Sequence, residues 1–195
     1  MPDSDEPDGP YHIDIANQQA CLELDEALLH NAVETVLRSE QVRGAEISVA
    51  LVDNRAIRPL NRQYLGHDYD TDVLSFLLDS DPPEPASTGP RGADRMIEGE
   101  VIVSVEMALN TALDYHWSPQ DEVLLYLVHG MLHLCGYDDL SEGEQRVMRV
   151  REREVLQHWN LTPHYAADEG TDQAADEQVA VEQADSARPG VGADS

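Results

Sequence analysis

The chain has 195 residues, 41% of them hydrophobic and only 5% aromatic, which is room for one domain with a mostly aliphatic core. Its formal charge is −27, and all 12 basic residues are arginines. Lysine Schiff-base chemistry, a P-loop lysine and a lysine general base are therefore excluded. So acidic a chain also argues against DNA as a partner, because duplex binding relies on a cation-rich face that releases counterions.

In chain order, residues 1–10 are acidic and proline-rich and predict a solvated N-terminus. Residues 11–15 (YHIDI) read as a short strand. Asp25 caps a helix running to about Ser39, with Ala27, Leu28, Ala32, Val36 and Leu37 near one face. Residues 46–52 (EISVALV) alternate as a half-buried strand, a helix follows from about Asn54 to Gly66, and residues 72–78 (DVLSFLL) form a strand. Residues 79–96, rich in Pro, Gly, Asp and Ser, predict a mobile surface loop. A strand at 97–104 leads into a helix over Val105 to Tyr115. Ser118-Pro119 then opens a helix that runs to about Cys135, with proline at its first position. A charge-rich amphipathic helix spans about Ser141 to Trp159. Residues 166–195 hold eight acids against Arg188 and predict a disordered acidic tail. The expected architecture is α+β, a small mixed β-sheet packed with helices, as one domain over 11–165.

Cys21 and Cys135 are far apart and form no CxxC pair. The N-terminus carries no basic and apolar leader pattern. The most apolar stretch, Val123 to Cys135, is too short to cross a bilayer and contains two histidines. These features predict a cytoplasmic protein with no membrane partner.

The chemistry-bearing segment is His129-Gly130-Met131-Leu132-His133-Leu134-Cys135-Gly136-Tyr137-Asp138-Asp139. His129 and His133, four apart on a helix, project from one face, and that spacing suits two nitrogen ligands of one zinc ion. Gly136 can take a left-handed conformation and turn the chain back. The carboxylates of Asp138 and Asp139 then come within reach of the same point. Three protein ligands leave zinc an open position, as in catalytic sites. A zinc peptidase of the H-E-x-x-H plan needs a glutamate after the first histidine; Gly130 stands there, which argues against peptidase chemistry.

This segment resembles the H-G-x-L-H-L-x-G-Y-D-H motif of the YbeY family of bacterial rRNA maturation factors and departs from it at the last position, where Asp139 replaces histidine. Asp68 to Phe76 (DYDTDVLSF) is similar to the family's D-x-P-T-D-V-L-S-F, with Asp70 for proline. Gly99 to Ser104 (GEVIVS) is similar to G-D-I-x-I-S. The resemblance spans roughly residues 11–160. It implies a zincin-like metal helix, one Zn2+ held by His129, His133 and Asp139, and single-strand endoribonuclease activity in 16S rRNA 3′-end maturation and ribosome quality control. The implied partners are ribosomal RNA precursor and the small ribosomal subunit with its proteins. The family's N-x-x-Y-R segment is here Asn61-Arg62-Gln63-Tyr64-Leu65, so leucine stands where the family carries an arginine for RNA phosphate. Arg62, three residues before Leu65, is the catalytic candidate to replace it, with Arg58 and Arg55 further back. The alternative is that these are solvated surface arginines. Leu65 also supports a second functional reading, a metal-stabilised ribosome assembly factor with little nuclease activity.

Overall fold

The computed structural model describes residues 10–82 and 89–165. The expectations for the two ends and for the middle of the 79–96 loop fall on residues outside this set. The chain divides into two units, Met1–Leu161 and Thr162–Ser195, and the elements below all belong to the first.

Among the described residues, four strands and five helices follow in the order β1 (Tyr11–Asn17), α1 (Glu26–Ser39), β2 (Gly44–Val52), α2 (Asn54–Leu65), β3 (Val73–Ser80), β4 (Met96–Ser104), α3 (Val105–Tyr115), α4 (Pro119–Leu134) and α5 (Glu142–Leu156), closed by a 3-10 turn at Gln157–Trp159. The strands form one sheet in the order β1-β2-β4-β3. β1 and β4 lie parallel to β2, while β3 runs antiparallel to β4. The mixed sheet and the α+β class match the sequence expectation. The boundaries differ where side-chain pattern says least. β3 continues through a register shift between Leu77 and Asp79 to Ser80, and β4 starts at Met96.

Each helix starts where its sequence supplies an acceptor. Asp25 accepts from the Leu28 N–H at 3.1 Å and Asp53 from the Ala56 N–H at 2.9 Å. Ser104 does the same for α3 and Ser118 for α4, whose first residue is the expected proline.

The sheet is covered on both faces, unequally. Helix α2 lays Ile57 and Leu60 on a small cluster of Val52, Leu74, Ile102 and Phe76. Helix α4 lies on the opposite side of β3 and β4. A Cβ on Gly130 would stand 2.7 Å from a Val101 methyl and 2.9 Å from a Val73 methyl, so only glycine lets this helix lie so close to the sheet. The helix that carries both histidines is thereby seated directly against the strands.

Candidate metal centre

Helix α4 is buried over most of its circumference, and His129 and His133 lie near its C-terminal end. Its termination brings in the third donor. The Gly136 N–H donates to the His133 carbonyl at 2.9 Å and the Tyr137 N–H to the Leu132 carbonyl at 3.1 Å. With Gly136 at φ 101°, this is the paired hydrogen-bond closure that reverses a chain after a helix. The reversal carries Asp139 back over the last turn. Its carboxylate lies 3.8 Å from Nε2 of His129 and 3.9 Å from Nε2 of His133. Asp138 instead accepts the Asp139 N–H at 2.8 Å and shapes the turn. His129, His133 and Asp139 thus offer donor atoms that all lie within 4.8 Å of one another, a group that can hold a metal ion.

The tautomers follow from the partners. Nδ1 of His133 lies 3.0 Å from the Tyr137 carbonyl, which can only accept, so Nδ1 carries the proton. Nδ1 of His129 lies 2.6 Å from the Glu152 carboxylate, again an acceptor. With each Nδ1 protonated, a neutral imidazole presents its Nε2 lone pair. The two Nε2 atoms stand 3.0 Å apart, close to the separation of about 3.3 Å expected for two nitrogens each about 2.0–2.1 Å from one zinc ion. Two facing lone pairs repel unless a cation or a proton lies between them. The donor set therefore fits a small divalent ion.

Electrostatics differ between the two rings. Burial disfavours the charged form of His129, but the Glu152 hydrogen bond and charge outweigh it, with Asp72 and Asp139 adding, and hold the ring above its usual range. For His133 burial and the neighbouring His129 push the value down.

Glu152 escaped the sequence reading. It lies on α5 and is only 3% exposed. The signal was present: Met148, Glu152 and Val155 share the buried stripe of α5, so an acid sits where the pattern calls for an apolar residue. A carboxylate behind a histidine fixes ring orientation and raises ligand basicity.

A second buried acid braces the turn. Glu40, fully buried at the end of α1, accepts from the Tyr137 hydroxyl at 3.1 Å, from the Arg91 N–H at 2.9 Å and from Nε of Arg151. The Arg91 guanidinium lies over the Tyr137 ring at 4.6 Å and donates to the Gly136 carbonyl at 2.9 Å. Arg95 donates to the Cys135 carbonyl at 3.0 Å and to the Ser80 hydroxyl at 2.7 Å. Two arginines from the segment expected to be a surface loop thus satisfy carbonyls at the end of α4. Cys135 itself is a buried free thiol, and burial pushes its pKa up, as expected for a packing residue.

Arg62 stands apart from this group. It lines a shallow hollow on α2 with Asn54, Arg55, Arg58, Asp70 and Glu106. A separate hollow beside the metal centre is lined by Ser75, Leu77, His133, Gly136, Tyr137 and Asp138. Arg58 is held by Asp68 through a 3.0 Å bond to its carboxylate and another to its carbonyl. Leu65 is exposed.

The family described as Endoribonuclease YbeY matches residues 14–160. The chain belongs to the YbeY family. It is 41% identical over 152 residues to the Endoribonuclease YbeY of Pelotomaculum thermopropionicum, covering 76% of this chain and 97% of the relative. It is 37% identical over 150 residues to that of Salinibacter ruber, covering 77% and 93%. The solution structure of TM1509 from Thermotoga maritima is 25% identical, with a TM-score of 0.48 over 78% of this chain and 94% of that one. The chain is thus a member of an endoribonuclease family. Among the described residues no helix is long and apolar enough to cross a membrane.

Proposed function

We propose that this protein is a zinc-dependent, single-strand-specific endoribonuclease that acts in the cytoplasm on ribosomal RNA precursor, in 16S rRNA 3′-end maturation and ribosome quality control. The small ribosomal subunit and its proteins are the partners we assign to it. The observation that carries this reading is the convergence of His129, His133 and Asp139, backed by Glu152, in a chain of this family.

One zinc ion held by these three residues would supply a Lewis acid for a phosphoryl oxygen of the scissile bond. The chain's own groups prepare the site. Glu152 and the Tyr137 carbonyl hold the two Nδ1 protons, so both Nε2 atoms face the site as donors. Asp139, half-exposed, brings the negative charge that a histidine at this place would not, which lowers the net charge of the loaded centre. Arg62, exposed on α2, is the arginine we assign to the substrate phosphate in place of the family's residue. The acidic surface favours substrate delivered on the ribosome over tight binding of free RNA.

The test is cleavage of single-stranded rRNA by zinc-loaded and chelated protein beside His129→Ala. Cleavage lost on chelation and in the variant supports the reading; cleavage that survives both belongs to a contaminant. Leu65 favours a second reading, an assembly factor with little nuclease activity, and absence of cleavage in every state would select it.

A further inference from the structure

Between α2 and β3 the chain displays aromatic rings to solvent. Tyr69 is 56% exposed. His67 is exposed as well and lies parallel to Tyr69, with ring centroids 5.1 Å apart and planes 14° from parallel. Rings this open contribute little to a core. Nor do they hold the loop, because backbone and other side chains do that. The buried Asn61 donates from its amide to the Tyr69 carbonyl at 2.9 Å, the His67 N–H reaches the Asn61 carbonyl at 3.4 Å, and Arg58 grips Asp68. The result is a flat pair of rings on a fixed backbone.

The same segment leads to the metal centre. Tyr69 is three residues before Asp72, the last residue before β3. Val73 follows and lies beside Gly130, the neighbour of His129. Four residues of extended chain span at most about 14 Å, so the Tyr69 backbone stands within that distance of Val73, on the flank of the centre.

We propose that His67 and Tyr69 form a stacking platform for unpaired bases of single-stranded RNA, beside the metal centre. This rests on the endoribonuclease reading above. Stacking on aromatic rings tolerates any base and needs no net positive charge. That matters in a chain at −27 whose family arginine is leucine and whose Arg38, Arg43, Arg58 and Arg151 are already paired with acids. Affinity drawn from stacking also predicts a shallow dependence on salt, since few phosphates are neutralised.

The experiment uses the full chain with chelator present, so that RNA stays intact. Binding is read from quenching of 2-aminopurine in a short single-stranded RNA, beside the same strand with abasic residues, which keeps the phosphates and removes the stacking faces. The intact strand should bind more tightly, and the double variant His67→Ala/Tyr69→Ala should lose roughly 5- to 100-fold of that affinity. Abasic binding, thermal stability and zinc content should stay unchanged, and Tyr69→Phe should bind as the natural chain does. Equal binding of intact and abasic strands, or an undiminished preference in the double variant, overturns the platform. If zinc-loaded natural chain still cleaves RNA in that case, the nuclease reading stands alone. Stacking without any cleavage would keep the platform and remove the nuclease reading. Unchanged RNA binding together with loss of a dimer in sedimentation assigns the rings to a second copy and also overturns the proposal.

Discussion

Helices α4 and α2 lie on opposite faces of the same sheet, and each carries residues assigned to the reaction. Eleven of the sixteen residues of α4 are buried, against two of the twelve of α2. On α4 His129 is oriented by Glu152 from α5, and His133 by the Tyr137 carbonyl in the turn that ends its own helix. On α2 most side chains meet solvent, and Leu65, where the motif resemblance implies an arginine, is exposed. Burial couples the first helix to everything around it. Exposure leaves the second free to change what it presents to a substrate. The two should therefore fail differently: α4 through metal and stability, α2 through substrate alone.

The largest effect should come from His129→Ala or His133→Ala, which should abolish tight zinc binding in a chelator competition. Asp139→Ala should weaken it less, because the two imidazoles remain, and Asp139→His should still bind. If Asp138→Ala rather than Asp139→Ala loses zinc, the third ligand is misassigned. Next comes Glu152→Gln, which keeps an acceptor for the His129 Nδ1 proton and removes the charge. Zinc affinity should fall about 10- to 100-fold, the usual cost of disturbing a histidine's outer partner. Gly130→Ala tests the seat of the helix. The added methyl meets two valines, and overpacking of this kind costs about 1–3 kcal/mol, read as a fall of several degrees in Tm. The smallest structural effect should follow Arg62→Ala on α2: slower RNA processing with unchanged Tm and zinc stoichiometry. An unchanged rate would remove Arg62 from the reaction.

This contrast also explains what the sequence disclosed. Local signals were readable one by one: Asp25 and Ser118-Pro119 at helix starts, the turn glycine Gly136, and the i, i+4 histidines. Each depends on a few neighbouring residues. Glu152 and Glu40 were missed because their partners lie far away, Glu152 acting 23 residues from His129 and Glu40 lying 111 residues from Arg151. In the charge-rich α5, one more glutamate looks like a solvated face until packing places it inside. The proline- and glycine-rich composition around Arg91 and Arg95 likewise gave no sign that both arginines reach back to the end of α4.

The position of Glu152 has a consequence for synthesis. Chains emerge from the ribosome N-terminus first, and the four described strands and the three candidate metal donors precede α5. A nascent chain ending near Leu140 already contains His129, His133 and Asp139, but neither Glu152 behind the first histidine nor Arg151 beside Glu40. The donor set is therefore complete before it is braced. For the ion proposed above, firm capture should wait for the last helix, and a product truncated before α5 should hold it less tightly than the full chain.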